Sequence, residues 1–201
     1  MELIRFANDV LLAVGERPQV TLSNAVGRKA ALAVRDALED FQLVNNWSFL
    51  KARILPLSKV GMVLTISPLR QIQSVFYKDK ALLPVNIEEL YSGALYSFAV
   101  TGNTTLEVSE DLAGETAADF SIIGYSLLTI NLFNENALLP IPDQYLPILR
   151  TQSVYRMAID HLGDATLAQV KSQEFTRLVQ SYQVRETGVG RRKQNLYRKR
   201  T

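Results

Sequence analysis

The stretch Ser23–Phe49, SNAVGRKAALAVRDALEDFQLVNNWSF, changes its hydrophobic period at Asn45-Asn46, and that change decides the architecture. Upstream, Val26, Ala30, Ala33, Val34, Ala37, Leu38 and Phe41 recur at the spacing of one helical face. Arg28, Lys29, Arg35, Asp36, Glu39 and Asp40 fall mostly elsewhere. Ser23 or Asn24 can cap this helix by accepting from its first free amides. Downstream, Trp47-Ser48-Phe49 opens a series of short runs rich in branched and aromatic residues, the pattern of strands. Trp47 and Phe49 stand at the handover, where paired aromatics plug the space between layers.

Toward the N-terminus, residues 2–14 place Leu3, Ala7, Val10, Leu11 and Val14 on one helical stripe, and Gly15 ends it. Glu16-Arg17-Pro18 is a turn, followed by a short extended piece through Leu22. Toward the C-terminus, strands are expected over Val60–Ser67, Ile72–Lys78, Leu95–Thr101 and Thr104–Ser109, with Gly102-Asn103 as a tight hairpin between the last two. Ser121–Phe133 reads as a further strand with a break at Gly124. The connections are too short for crossover helices, so four to six mostly antiparallel strands are expected.

Helices return near residue 143, with Ile148, Tyr155, Ala158, Ile159 and Leu162 as a stripe that Gly163 ends. Asp164 then caps a last helix carrying Leu167, Lys171, Phe175, Leu178, Val179 and Tyr182 along one side. The expected fold is thus α+β. Residues 1–50 and 134–187 form a helical bundle from the two ends of the chain, with Val34, Leu38, Phe41, Trp47, Tyr155, Ile159, Phe175 and Leu178 in its core. Residues 51–133 form a β-rich, mostly antiparallel insertion, and 188–201 a flexible basic tail.

With 201 residues and an apolar fraction of 47%, the chain is long enough to bury its own core. It contains no cysteine, which excludes disulfide frameworks and thiolate metal sites, and a reducing cytoplasm is the simplest setting. The opening Met1-Glu2-Leu3-Ile4-Arg5 lacks the basic-then-apolar order of a signal peptide, and no run approaches the ~18 apolar residues of a membrane span. The expectation is a protein kept in water.

Net charge is +2 but unevenly placed. Arg191, Arg192, Lys193, Arg198, Lys199 and Arg200 cluster in the last fourteen residues, and setting those six aside leaves 16 basic against 20 acidic residues. The body is mildly acidic and the tail is a local electrostatic hook.

The residue types that catalysis uses are sparse or poorly spaced in this chain. His161 is the single histidine, and no cysteine or second histidine can join it in a zinc site or a triad. The pairs Glu39-Asp40, Glu88-Glu89 and Glu110-Asp111 are adjacent in sequence, so their carboxylates diverge and read as solvated surface charge rather than an acid/base pair. Gly188-Val189-Gly190-Arg191-Arg192-Lys193 lacks the Gly-Lys-Ser/Thr spacing of a phosphate loop and follows a helix rather than a strand. The expectation is a non-enzymatic protein without a cofactor.

Beside this reading stands a resemblance. The opening Asn8-Asp9-Val10-Leu11-Leu12-Ala13-Val14-Gly15-Glu16-Arg17-Pro18-Gln19-Val20 is similar to the start of the tail tubular protein A family of short-tailed bacteriophages. The likeness continues through the alanine-rich helix into Asn46-Trp47-Ser48-Phe49 and Leu55-Pro56, is best over residues 8–57, and extends loosely to the helices separated by Gly163-Asp164. Asn46 replaces the family's glycine before the tryptophan. The resemblance implies a viral head-to-tail adaptor, made in the host cytoplasm and carried in the virion as a dodecameric ring between the portal protein and the tail nozzle protein. Such a ring lines the channel through which DNA passes, and serves genome retention and ejection. On that reading Leu196 and Tyr197 anchor the tail on the portal while Arg191, Arg192, Lys193, Arg198, Lys199 and Arg200 face acidic surface. The competing expectation is a nucleic-acid-binding protein that uses the same basic tail.

Overall fold

The computed structural model describes residues 1–186 and shows a mixed α+β protein with largely antiparallel sheets. The expectations for the basic tail, 188–201, lie outside the described residues. Five α-helices are present among those described: α1 (Leu3–Ala13), α2 (Ala25–Val44), α3 (Ile87–Tyr91), α4 (Leu146–Arg156) and α5 (Ala165–Glu186). Nine strands lie between Lys51 and Ser126: β1 (Lys51–Ile54), β2 (Ser58–Val60), β3 (Val63–Thr65), β4 (Leu69–Tyr77), β5 (Lys80–Ala81), β6 (Leu83–Pro84), β7 (Ser97–Val100), β8 (Thr105–Val108) and β9 (Phe120–Ser126). The chain divides into two compact units, one of Met1–Asn45 with the chain from Leu128 onward, the other of Asn46–Leu127.

In the helical unit, α2 packs on α1 and α4, and α4 packs in turn on α1 and α5. Asn24 caps α2 by accepting from the Gly27 amide at 2.7 Å. The seven apolar residues read as the α2 stripe face inward, all but the half-buried Val26 being fully covered. Phe6, missed by the stripe reading of α1, is buried as well. Beyond Arg156 the helix does not continue as α but widens into a π turn, Met157–Leu162, which the left-handed Gly163 terminates. A π turn holds extra residues relative to the 3.6-residue period and rotates everything after it. Ala158 is buried as the stripe predicts, but the rotation corrects its neighbours: Met157 turns inward, while Ile159 and Leu162 are 39% and 40% exposed, so Ile159 is not a core residue. Asp164 caps α5 as expected, accepting from Leu167 at 2.9 Å.

The β unit holds a four-stranded sheet in the order β1-β9-β4-β5 and a five-stranded sheet in the order β2-β3-β8-β7-β6. All pairings are antiparallel except the two-residue β6–β7 contact. Both sheets contribute to one apolar core, which includes Leu64, Val75, Phe98, Leu106, Phe120 and Ile122. The β7–β8 hairpin forms where Gly102-Asn103 indicated, with Val100 opposite Leu106. Nine strands rather than four to six is a correction, and its cause is length. Pieces of two to four residues such as β1, β2, β5 and β6 are too short to show a period of two.

Gly124 does not break β9. It sits opposite the irregular register of β4 between Leu69 and Ser74, where a Cβ would meet the Gln71 carbonyl oxygen at 2.6 Å and a Leu69 methyl at 2.7 Å. Glycine in a strand often marks such a close backbone approach. The strand ends at Ser126 instead of running to Phe133, and the chain from Leu128 belongs to the helical unit. The unit borders therefore fall at Asn45/Asn46 and Leu127/Leu128 rather than at 50/51 and 133/134.

Two expected outcomes follow from this packing. Gly124→Ala ought to gain the ~0.5–1 kcal/mol of reduced backbone entropy, but overpacking against fixed backbone costs about 1–3 kcal/mol, so a lower urea midpoint is expected. Phe41→Ala, at a fully buried position, lowers stability by about 3–5 kcal/mol, and Leu178→Ala, at a half-buried one, by distinctly less. Equal losses would contradict the observed burial.

Candidate interaction surfaces

The helical unit is tied internally by a polar cluster around Asp40, a residue expected to be solvated surface charge. Arg156 reaches from α4 to Asp40 on α2 through two hydrogen bonds, Nε to Oδ2 and a terminal nitrogen to Oδ1, both at 2.7 Å. Gln152 donates to the same Oδ2 at 2.5 Å, and the Asp40 and Arg156 side chains are only 24% and 31% exposed. Asp40 is thus a structural anchor, which corrects its assignment as solvated charge. Its hydrogen bonds hold the Arg156 guanidinium pKa above the usual arginine value against the opposing effect of burial. The other two carboxylate pairs do lie on the surface. Glu89 closes a capping box with Asn86 on α3, and Asp111 accepts from the Tyr96 amide at 3.4 Å.

Of the expected core residues, Val34, Leu38 and Phe41 are fully buried on α2. Phe41 meets Tyr145 edge-on at 6.1 Å, and Tyr145 meets Tyr182 of α5 at 5.7 Å, so an aromatic ladder crosses the unit. Tyr155, Phe175 and Leu178 are half-buried, and the Arg156 guanidinium lies 5.9 Å from the Tyr155 ring centre. Trp47 is completely buried but belongs to the β unit, because the chain leaves the helical unit two residues earlier. His161 lies at the end of the π turn, its Nε2 without a hydrogen-bond partner among the described residues. No group of three or more metal-ligating side chains occurs among those residues. The docking residues assigned to the tail, Arg191–Arg200, lie outside them.

Two clefts mark the surface of the helical unit. The first, about 580 Å3, lies between α2 and the returning chain, with Leu22, Leu32, Ile130, Leu132 and Phe133 on its walls and Arg28 and Arg35 beside them. Phe133 is 98% exposed at its lip and Val20 is 96% exposed on the neighbouring turn. Glu135 joins these two segments by accepting from the Thr21 hydroxyl and from the Leu22 amide, the latter at 2.6 Å. The second cleft, about 510 Å3, lies among α1, α4 and α5 and shares no residue with the first. Neither Val20 nor Phe133 stood out in the sequence, because a single apolar residue in a turn carries no periodic signal.

The β unit presents a different face. Tyr91, Leu95 and Tyr96 are exposed, and Tyr91 and Leu95 line a cavity of about 310 Å3 together with Glu110 and Asp111. The Tyr91 hydroxyl donates to Glu107, which raises its pKa. Tyr96 adopts a positive φ of 48°, unusual for a bulky residue. At another point Lys78 bonds Glu115 at 3.1 Å, and hydrogen bonds to Tyr77 and Glu115 raise its pKa. The Thr116 hydroxyl lowers that of Asp119.

If the Asp40 cluster anchors α2 to α4, Asp40→Ala strands three donors on two side chains and costs about 1.5–3 kcal/mol, the range for hydrogen bonds to a charged group. Asp40→Asn retains part of this. A double-mutant cycle with Arg156→Met should show coupling above about 0.5 kcal/mol, and additive losses would remove the pair from the stabilising contacts.

No protein-family model and no curated protein matches this chain.

Proposed function

We propose that this chain is a structural adaptor that acts by binding copies of itself and neighbouring proteins, in the manner of the tail tubular proteins it resembles. The observation that carries the reading is the pair of surfaces just described: both units expose large apolar side chains, Val20 and Phe133 on one, and Tyr91, Leu95 and Tyr96 on the other. Exposed apolar patches mark protein contacts. The resemblance over residues 8–57 supplies the class of assembly, a dodecameric ring below a portal and above a nozzle. The helices of the N- and C-terminal segments act as its bundle, and the β unit meets the nozzle and neighbouring subunits through its sheet edges. The tail docks on the portal through Leu196 and Tyr197, with Arg191, Arg192, Lys193, Arg198, Lys199 and Arg200 against acidic surface.

The test uses purified, DNA-free portal. A truncation ending at Thr187 keeps its fold and loses affinity for the portal, with a shallow dependence on salt. Binding of free duplex DNA through all six charges would instead give a log–log salt slope near about −5. Undiminished portal binding by the truncated chain would remove the docking role, and a full-length chain that binds DNA but never a portal would replace the adaptor reading.

A further inference from the structure

From Ala81 to Leu149 the chain has no Lys, Arg or His, while residues 187–201 hold six basic residues and no acidic one. Five carboxylates of the first stretch belong to α3 and the elements it meets. Glu88 and Glu89 lie on α3, Glu107 on β8, and Glu110 and Asp111 in the 3-10 turn Glu110–Leu112. None of the five forms an ion pair among the described residues. Lys59 on β2 turns its ammonium to the Gly61 and Ala113 carbonyls at 2.7 and 2.8 Å, and Lys78 is taken by Glu115 and Asp119 at 3.1 and 4.0 Å. With Lys59, Lys78, Glu115 and Asp119 all counted, seven carboxylates stand against two ammonium groups.

The same part of the β unit leaves apolar surface uncovered. Cross-strand partners share a face of a sheet, so Val60, Val63 and Glu107 lie side by side on β2, β3 and β8. The Tyr91 hydroxyl reaches that face to donate to Glu107. Although α3 packs on β7, Val60, Val63, Tyr91 and Leu95 remain exposed. The cavity of about 310 Å3 lies here, lined by Met62, Tyr91 and Leu95 and by the carboxylates of Glu110 and Asp111.

We infer that this face binds the chain's own basic segment, Arg191–Arg200, in the free protein. The segment has the matching order: an apolar pair, Leu196-Tyr197, between Arg191-Arg192-Lys193 and Arg198-Lys199-Arg200. The apolar pair covers Val60, Val63 and Leu95, and the flanking bases meet Glu107, Glu110 and Asp111. Opposite charge steers the segment and fixes its register. The sign of the charge rejects other occupants, since duplex DNA is a polyanion and a second copy of the same face brings like charge against like. The contact stands apart from the adaptor reading, because the free chain makes it. Where that reading also holds, the acidic surface of the portal takes the segment from this face, and the two contacts alternate.

The test uses the full chain, which has no native cysteine, without portal or DNA. Asn195→Cys is combined with Ser92→Cys, exposed at the end of α3, or as a control with Lys80→Cys, exposed on β5 of the other sheet. Both are treated with a short thiol-to-thiol cross-linker. At low salt the Ser92 pairing should cross-link about tenfold faster than the control, because docking raises the local concentration of the segment. The preference should vanish at about 1 M salt, where the screening length falls to about 3 Å. Glu110→Gln with Asp111→Asn, at an unchanged circular-dichroism spectrum, should lower it severalfold. Equal cross-linking of the two pairings at low salt would overturn the inference. So would a Ser92 preference that survives both high salt and the neutralising substitutions. A chain that cross-links as expected but never binds a portal would keep this contact and remove the adaptor reading.

Discussion

A chain that leaves its helical unit at Asn45 and re-enters at Leu128 must be caught again at a defined point, and one buried side chain does this. Gln42 is 2% exposed on α2. Its amide oxygen accepts the Leu128 N–H at 2.6 Å, and its amide nitrogen donates to the Leu128 carbonyl at 3.0 Å. The side chain thus pairs with the returning backbone as a neighbouring strand would, and satisfies groups that would be costly to bury unpaired. From there the chain runs along the unit: Glu135 and Ala137 accept from Ile4 and Leu3, Leu139 donates to the Met1 carbonyl, and Leu139 and Ile141 are buried. This segment holds the start of α1 and also carries Phe133 outward. The same fixation that closes the helical unit therefore holds the exposed Phe133 on a braced segment.

The second tie, Asp40 with Arg156 and Gln152, lies where α4 passes into the π turn. Burying charge is expensive unless it is fully hydrogen-bonded. The planar fork of Arg156 meets both carboxylate oxygens and gives geometry as well as energy. Thr151 and Ser153, also buried on α4, return their hydroxyls to carbonyls four residues earlier at 3.0 and 2.8 Å. A helix enclosed on most sides thus keeps polar residues inside by pairing each of them locally or with α2. The register of α2 against α4 is set by these pairs rather than by apolar bulk alone.

The α2 stripe, its Asn24 cap, the change of pattern at Asn45-Asn46, the β7–β8 hairpin and the Gly163-Asp164 break were all legible, because each is written in consecutive residues. What escaped reading is written across the chain or against its local period. Asp40 and Arg156 stand 116 positions apart, and nothing near either names the other. The π turn cannot be inferred from a stripe that assumes 3.6 residues per turn, so Ile159 was placed on the wrong side. Gln42 did leave a trace: a polar residue four positions after Leu38 on an apolar face, which in a buried helix signals a specific partner. The Leu127–Phe133 segment has the composition of a strand, and only the capture by Gln42 makes it a connector.

These features bear together on how assembly would be encoded. The conserved logic of a core is that apolar residues recur with the period of the element carrying them. Val20 and Phe133 break that logic, standing in turns where no core is available to them. Natural surfaces tolerate isolated apolar residues, but Phe133 stands almost fully exposed on a segment braced by Gln42 and Glu135. Bracing matters because a side chain on a fixed segment loses little entropy on docking, so more of its burial appears as affinity. The polar pairs that close the helical unit and the apolar projection it presents are then one design: hydrogen bonds spent inside fix the geometry by which apolar surface is offered outside.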